Sequence, residues 1–375
     1  MITAQNLSGI VMAELACGIV GLPNVGKSTL FNALTKAGAA SSNYPFCTID
    51  PNVGVVNVFD PRLGVLSDIS GSAKLVYATM QFVDIAGLVK GASQGEGLGN
   101  QFLTHIRETD AIVHVVRCFE SEDIIHVEGK VHPLSDIETI NLELALADLQ
   151  STQNIVTRLE KQVKGKKELL PTLQLLERLR DHLDKNLPVR TFELNKDEQT
   201  LLKPYPFLTQ KKVLYAANVS EEDLPSMENN HVQQVREFAE KEGNIVIPIC
   251  SKLEAEVAEL EQEEQTEFLA SVGLEETGLN RLIRTSFEML GLITFLTTGE
   301  QETRAWTIPK GFSAQEAAGK IHTDIQKGFI RAEVVTYDDM VRYKGRVGAK
   351  EAGKLRSEGR DYIVQDGDVI LFLHN

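Results

Sequence analysis

Eight consecutive residues have the types that bind the phosphates of a nucleotide. They run from Gly21 to Ser28 and read Gly-Leu-Pro-Asn-Val-Gly-Lys-Ser, which fits the P-loop pattern G-x-x-x-x-G-K-[ST]. The two glycines, Gly21 and Gly26, let the backbone curl so that successive N–H groups point at phosphate oxygens. Lys27 can reach the β- and γ-phosphates, and Ser28 offers a hydroxyl to Mg²⁺. The pattern predicts a Mg²⁺-dependent nucleotide hydrolase whose phosphate-contacting residues are Asn24, Val25, Gly26, Lys27, Ser28 and Thr29.

A second motif, Asp84-Ile85-Ala86-Gly87, follows an apolar stretch that is typical of a strand. The Asp84 carboxylate can hold Mg²⁺, usually through water, and the Gly87 N–H can bind the γ-phosphate. Thr48 lies between the two motifs, where its hydroxyl would complete the Mg²⁺ shell when a triphosphate is bound. We therefore expect Ser28, Thr48 and Asp84 to be the metal ligands. The glycine-rich stretch after Gly87 fits a nucleotide-sensing switch, and an ordinary loop is the alternative.

The segment Asn218-Val219-Ser220-Glu221 bears on which base is bound. In the guanine-specific form, Asn-Lys-x-Asp, the aspartate accepts hydrogen bonds from guanine N1–H and the 2-amino group. Here Glu221 replaces the aspartate and Val219 replaces the lysine, so the longer side chain displaces the acceptor pair. Adenine offers an N6 donor and no N1 proton. The segment favours adenine, with a GTPase as the open alternative and Asn218, Val219 and Glu221 as base contacts.

The residue after the second motif is Leu88, where many GTPases carry a glutamine that orients the attacking water. Leucine cannot orient water, so hydrolysis must use another group or a cation. Asn24, beside the phosphates, could help to bind K⁺. The available imidazoles are His105, His114 and His126, and each is as easily a structural histidine.

Apolar runs that alternate with helical stretches predict a parallel α/β sheet with helices on both faces. The first strand is Cys17–Val20, and the helix after the phosphate loop is expected over Ser28–Ala37. In such sheets the ligand binds at the carboxyl ends of the strands, where each motif above is expected to lie. The other predicted strands are 80–83, 111–116, 213–217 and 244–249.

Residues 136–187 have a different pattern, in which leucine and valine recur every seven residues from Leu142 to Val163. A turn at 164–167 and a second leucine-rich stretch follow. This predicts an antiparallel helical hairpin inserted into the α/β domain. Its role is either packing or the binding of a partner.

From about residue 292 short strand candidates surround a helix over 313–322, where Ser313 and Glu316 fit a capping box. A small α+β domain is predicted here, with strands at 304–308, 330–336, 362–364 and 369–373. A basic cluster between Arg342 and Arg360 is either a solvated helix face or a phosphate-binding patch. Its cations are Arg342, Lys344, Arg346, Lys350, Lys354, Arg356 and Arg360.

Composition excludes several classes of protein. The net charge of −15 over 375 residues argues against nonspecific coating of nucleic acid, although residues 292–375 are neutral, with 12 Lys+Arg and 12 Asp+Glu. The chain has no apolar run long enough to span a membrane and no secretory signal at its start. Its four cysteines are scattered, which favours a reducing cytoplasm over disulfides or zinc.

Together these residues resemble the Obg-like ATPase (YchF) family of P-loop proteins, from about residue 16 to the end. The matching segments are Gly21 to Thr29, Phe46 to Thr48, Asp84 to Gly91, Gly95 to Phe102, Asn218 to Glu221, Lys320 to Asp324 and Lys327 to Ile330. The resemblance implies ATP preferred over GTP, Mg²⁺, stimulation by K⁺, and association with ribosomes. It also raises His126 above the other histidines, because the proposed catalytic histidine of the family lies in an Ile-Ile-His-Val stretch.

The sequence patterns and the resemblance together predict the domain plan, in which the N-terminal extension is a departure from the family. We expect a disordered extension over 1–14, a nucleotide-binding domain over 15–135 and 200–290, a coiled-coil insertion over 136–199, and a ubiquitin-like TGS domain over 291–375. The resulting hypothesis is a slow cytoplasmic ATPase that acts as a switch, with Lys27, Gly87 and His126 as its catalytic residues. The alternatives are a GTPase of the same fold, or a ribosome- or RNA-binding module in which nucleotide is only regulatory. RNA contact would then fall to the basic cluster between Arg342 and Arg360.

Overall fold

The structure is a computed structural model that describes residues 15–39, 52–85, 98–121 and 130–375. Its contacts divide the chain into two compact units. Unit 1 comprises Met1–Gly54 and Gln81–Leu282, and unit 2 comprises Val55–Met80 and Ile283–Asn375. Residues 55–80 thus group with the C-terminal segment, whereas the domain plan from the sequence assigned them to the nucleotide-binding domain.

The strands form two six-stranded sheets, ordered β2-β4-β1-β5-β6-β7 and β11-β10-β12-β8-β9-β3. They are β1 (Ala16–Val20), β2 (Val53–Val58), β3 (Leu75–Val76), β4 (Ala78–Asp84), β5 (Ala111–Arg117), β6 (Lys212–Asn218), β7 (Ile245–Ile249), β8 (Leu292–Thr298), β9 (Thr303–Pro309), β10 (Phe329–Thr336), β11 (Arg356–Glu358) and β12 (Asp368–His374).

The α-helices of the described residues lie between and after these strands. They are α1 (Lys27–Ala39), α2 (Pro61–Ser70), α3 (Leu98–Glu108), α4 (Pro133–Val163), α5 (Leu170–Leu183), α6 (Lys196–Leu202), α7 (Asn230–Glu242), α8 (Ser251–Val257), α9 (Gln262–Ser271), α10 (Gly278–Met289), α11 (Ala314–Ile321), α12 (Thr323–Lys327), α13 (Tyr337–Arg342) and α14 (Arg346–Glu351). Among the residues that the structure describes, no helix combines the length and apolarity of a membrane span.

The first sheet confirms the predicted parallel α/β fold. Strands β4, β1, β5, β6 and β7 pair in parallel, and every residue of β1 and β5 is buried. Strands covered on both faces read as continuous apolar runs, which made β1 and β5 visible in the sequence, and β4, β6 and β7 were also predicted. Strand β2 was missed, and its buried and half-buried residues alternate.

The predicted helical hairpin is formed by α4 and α5, which pack around a core that includes Val156, Leu159, Leu176 and Leu179. The heptad reading was wrong at Leu142, which is 41% exposed. The first half of α4 buries Ile137, Ile140 and Leu144 instead, a spacing of three and four residues that places Leu142 off the buried face. The seven-residue repeat of buried residues begins only in the second half of α4, where α4 packs against α5.

Asp148 joins the hairpin to the rest of unit 1. Its buried carboxylate accepts hydrogen bonds from the N–H of Leu208 (2.8 Å) and from the N–H (2.8 Å) and hydroxyl (2.7 Å) of Thr209. Burial raises the pKa of Asp148 above its usual range. Three donors satisfy a carboxylate that would otherwise be unpaired in the interior, so this contact fixes where the hairpin leaves the α/β layer.

Unit 2 holds the second sheet around a core that includes Phe295, Ile308, Ile370 and Phe372. The capping box is confirmed: the Glu316 N–H donates to the Ser313 hydroxyl, and the Ser313 N–H donates to the Glu316 carboxylate. The predicted strand at 362–364 was wrong, because Ile363 makes only an isolated bridge to Ser313.

Candidate functional site

The phosphate loop connects β1 to α1 and requires glycine at Gly26. Its φ of 95° lies in the left-handed region, and a Cβ added there would lie 2.2 Å from Asn218 Nδ2. A Cβ at Gly21 would lie 2.9 Å from the carbonyl oxygen of Val115. Asn24 also adopts a positive φ, of 63°. The curled backbone therefore rests on close approaches that no larger residue allows at Gly26.

A cavity of about 480 Å³ opens over this loop. Its lining residues are Leu22, Pro23, Asn24, Gly26, Lys27, Ser28 and Thr29. The start of α1 adds its helix dipole and backbone N–H groups, which favour an anion here. A phosphate cradle is thus formed by the curled loop, the start of α1 and Lys27.

Lys27 and Asp84 form an ion pair beside the cradle, with side chains that are 10% and 22% exposed. Asp84 ends β4 in register with Ile19 of the neighbouring β1, which brings the two motifs to one edge of the sheet. The hydroxyl of Ser28 and the carboxylate of Asp84 are the hard oxygen donors that Mg²⁺ prefers. No cluster of three or more His, Cys, Asp or Glu side chains suited to a metal exists among the described residues. A Mg²⁺ ion would thus depend on these two groups together with phosphate oxygens and water.

A second cavity, of about 570 Å³, shares Asn24, Gly26 and Thr29 with the first. Its other walls are three segments that follow β5, β6 and β7: 119–121, 218–221 and 250–252. The carboxyl ends of parallel strands converge at one edge of a sheet, which brings these distant segments together. Since a phosphate cradle adjoins it, this cavity is the candidate base site.

Asn218 braces the site through its buried side chain, which is 3% exposed. The Asn218 Nδ2 donates to the carbonyl of Val25 (2.9 Å), and its Oδ1 accepts from the N–H of Ser251 (2.9 Å). One amide thus ties the phosphate loop to the start of α8. Val219 is also buried, whereas Glu221 reaches the cavity mouth.

The carboxylate of Glu221 is engaged by Lys252, which pairs with it at the rim of the base cavity. The two side chains are 42% and 69% exposed. The Glu221 hydrogen bond raises the pKa of Lys252. Lys252 contacts one oxygen of this carboxylate, so guanine would have to share or displace the ion pair, which is in line with the preference for adenine expected from the sequence.

Sequence reasoning missed Phe119 and Lys252 as wall residues of the base cavity. Arg117, almost wholly buried, holds the first in place: its Nε donates to the Phe119 carbonyl (3.1 Å), and its guanidinium lies 4.6 Å from the ring centre. The available signal was position, because both residues closely follow predicted strands.

The histidines separate into different environments. His114 lies in the middle of β5, 2% exposed, with its ring 5.6 Å from that of Tyr215. Burial, followed by the charge of Arg190, lowers the pKa of His114 to about 3. It is therefore a neutral core residue. His105 lies on α3, and neither His105 nor His114 lines either cavity.

Four residues on which the sequence analysis relied lie outside the described residues. They are Thr48, Gly87, Leu88 and His126. Their roles stay predictions. Of the cysteines, Cys17, Cys118 and Cys250 are buried and form no disulfide with one another, and Cys47 lies outside the described residues.

The fold and the cradle define the class: this is a P-loop nucleotide-binding protein with a parallel sheet of the GTPase type. A family model described as "50S ribosome-binding GTPase" matches residues 16–157. A YchF-GTPase C-terminal model, described as a protein of unknown function (DUF933), matches residues 292–375.

Full-length relatives narrow the class to a family. The chain is 57% identical to the "Ribosome-binding ATPase YchF" of Pasteurella multocida over 96% of this chain and 99% of that protein. The Bacillus subtilis protein of the same name is 53% identical with the same coverage. The solved structure of the Schizosaccharomyces pombe YchF GTPase superposes with a TM-score of 0.86 at 36% identity, covering 96% of this chain and 98% of that one. The chain belongs to the YchF family.

Proposed function

We propose that this chain hydrolyses ATP to ADP and phosphate and uses the bound nucleotide as a switch. One observation carries the proposal: a phosphate cradle and a base cavity meet at Asn24, Gly26 and Thr29, and the base cavity presents Glu221 already paired with Lys252. The curated relatives are named ATPases, which agrees with an adenine site.

The residues around the cradle fit a Mg²⁺ ion. Ser28 and Asp84 would hold it, with Thr48 added when a triphosphate is bound, and the ion supplies neutralisation of the phosphate charge. Asn24 is the residue placed to help bind K⁺. Since Asp84 pairs with Lys27, binding of nucleotide and metal would exchange that ion pair for contacts to phosphate and cation.

Catalysis in this proposal is mainly electrostatic. Lys27 and the loop amides stabilise the charge that develops between the β- and γ-phosphates. Gly87 senses the γ-phosphate through its N–H, and His126 positions or deprotonates the attacking water in the place where Leu88 cannot act. Loss of the γ-phosphate releases Thr48 and Gly87, which is the switch.

Release of phosphate from ATP tests the proposal directly. Ser28→Ala removes the proposed Mg²⁺ hydroxyl, so hydrolysis should be lost. Thr35→Ala is the matched control, because it removes a hydroxyl on α1 that bonds only the carbonyl of Asn32 in its own helix. Equal turnover in the wild type and in Ser28→Ala would refute the site.

We further propose that the chain binds ribosomes in the cytoplasm, as the names of its relatives indicate for those proteins. RNA contact through the C-terminal basic cluster is the finer form of this proposal. The cluster is not one helix face, since α13 and α14 divide it. Arg346 pairs with Glu333, and Arg356 pairs with Glu358.

The remaining exposed cations of that cluster are Arg342, Lys344, Lys350, Lys354 and Arg360, and no ion pair within 4.0 Å joins them to another described residue. Replacing Arg342, Lys344 and Lys350 by glutamine should reduce the amount of protein that cosediments with ribosomes. It should also make the remaining cosedimentation less sensitive to salt concentration. The same changes at the paired Arg346 and Arg356 should have less effect. Unchanged cosedimentation of the first variant would exclude the cluster as a contact.

A GTPase is the second candidate, because the structurally similar S. pombe protein is named a GTPase. Competition between ATP and GTP for one preparation separates the two candidates.

A further inference from the structure

The turn of the helical hairpin concentrates positive charge in a chain whose net charge is −15. Between residues 158 and 168 there are five cations and two carboxylates. The cations are Arg158, Lys161, Lys164, Lys166 and Lys167, and the carboxylates are Glu160 and Glu168. We call these five cations the hairpin tip. All of them are exposed.

The hairpin tip is not neutralised within the chain. None of its five cations forms an ion pair within 4.0 Å with any residue that the structure describes. Glu160 has the i, i+4 spacing to Lys164 that often supports a helical ion pair, yet no such pair forms between them. Like charges at this density repel one another unless an outside anion lies between them.

Stabilisation of the helix ends explains the presence of only some of the five cations. Lys161 lies in the last turn of α4 and Lys164 is its C-cap residue, where the helix dipole favours cations. Lys166 and Lys167 instead open the 3₁₀ turn that leads into α5, where the same dipole disfavours them. The helix dipole thus explains Lys161 and Lys164 but gives no reason for Lys166 and Lys167.

The tip is a defined turn that offers little apolar surface. The N–H groups of Gly165 and Lys166 both donate to the carbonyl of Gln162 (3.0 Å each). Of the apolar residues that flank the turn, Val163 and Leu169 pack against the hairpin core, and Leu170 alone is exposed, at 43%. Protein–protein interfaces depend on buried aromatic or apolar anchors, whereas lysine and arginine alone suffice for a phosphate backbone.

We propose that the hairpin tip binds the phosphate backbone of RNA. With 31 residues, α4 is about 46 Å long at 1.5 Å per residue, so the tip contacts a site that lies far from the start of that helix. The choice of RNA over DNA rests on the proposed association with ribosomes. The contact with phosphate rests only on the exposed cations of the hairpin tip. Binding of this kind is insensitive to sequence and sensitive to salt.

The test is the binding of a labelled RNA duplex of about 20 base pairs to the full chain across a range of salt concentrations. The tip variant replaces Lys161, Lys164, Lys166 and Lys167 by glutamine. Its control replaces four other exposed lysines, Lys185, Lys196, Lys203 and Lys241, so that net charge is matched. Both variants should hydrolyse ATP as the wild type does, which shows that they are folded.

The tip variant should bind the duplex at least tenfold more weakly, and the slope of log K against log salt should fall by about 3, at about 0.7–0.9 per lysine. The control should keep the slope of the wild type. Equal affinities and slopes for the two variants would overturn the proposal. Loss of ribosome cosedimentation with unchanged duplex binding would also overturn it, since the ligand would then be an acidic protein surface.

Discussion

The two halves of the nucleotide site are built in different ways. The phosphate half consists of one continuous segment from Gly21 to Thr29, joined by Asp84 from the adjacent strand. The base half takes its walls from three segments that follow β5, β6 and β7. Asn218 links the halves through bonds to Val25 and Ser251. In the proposed assignment, chemistry common to all nucleotides lies on one continuous loop, and discrimination between bases lies on loops that are separate in the sequence.

The largest expected effect is in the phosphate half. Lys27→Ala should reduce ATP hydrolysis by at least about 1,000-fold, because it removes the cation nearest the developing charge and leaves Asp84 unpaired. Turnover should be measured by phosphate release. Lys36→Ala, on the exposed side of α1, is the control and should retain activity. Residual hydrolysis near that of the control would show that the phosphate half is misassigned.

His126→Ala should lower hydrolysis about 100- to 1,000-fold, as expected for loss of a general base or a water-positioning group. The affinity for ATP should stay unchanged, because the proposed role of His126 is to act on the attacking water and not to hold the nucleotide. Single-turnover kinetics and equilibrium titration measure the two quantities separately. His105→Ala is the matched control. If turnover is unchanged, His126 is not catalytic.

In the base half, the combination of Val219→Lys, Glu221→Asp and Lys252→Ala should raise the affinity for GTP relative to ATP about 100-fold. The shorter, unpaired carboxylate becomes available to guanine N1–H and the 2-amino group. Hydrolysis of a bound triphosphate should stay within a few-fold of wild type, because the phosphate half is intact. A ratio that does not move would mean that Glu221 and Lys252 do not determine the choice of base.

The smallest expected effect concerns the support behind the base half. Glu254 lies on α8, three residues after Ser251, and its buried carboxylate accepts from the N–H groups of Gly278 (2.7 Å) and Leu279 (3.2 Å). Burial raises the pKa of Glu254 from 4.5 to about 7. Between these values the folded state binds more protons than the unfolded state, so this group's contribution to stability falls as pH rises.

Glu254→Gln removes that titration. The free energy of unfolding of the variant, relative to wild type, should therefore rise by about 2–3 kcal/mol between pH 5 and pH 8. The free energy of unfolding of the variant must be compared with that of the wild type at each pH. His114, which is neutral in the fold, makes stability increase with pH below the pKa that it has in the unfolded chain, and this effect cancels in the difference. Urea unfolding at several pH values measures it, and a difference that is flat with pH would show that Glu254 is ionised in the fold.

The contrast between the phosphate half and the base half also decides which parts of the site could be predicted from the sequence. The phosphate loop was predictable because all its residues are adjacent in the chain, and Asp84 because it ends an apolar strand. Phe119 and Lys252 were not, since only the register of β5, β6 and β7 brings them to one cavity. The role of Asn218 as a brace was equally invisible, because its partners are distant in sequence.

The fold shows the same limit. Five parallel strands were found to within one or two residues, and burial on both faces makes β1, β5 and most of β6 continuous buried runs. Leu142 was misplaced because one long helix, α4, packs first against the α/β layer and then against α5, so its apolar period changes along its length. Residues 55–80 group with residues 283–375 through contacts that lie far apart in sequence, which local sequence patterns do not reveal.

Equilibrium titration of one preparation with ATP and with GTP, in Mg²⁺ and K⁺, tests the central claim most directly. The paired Glu221 and Lys252 predict at least tenfold tighter binding of ATP. Tighter binding of GTP would contradict the assignment of the base half and leave only the phosphate cradle and its proposed Mg²⁺ ligands standing.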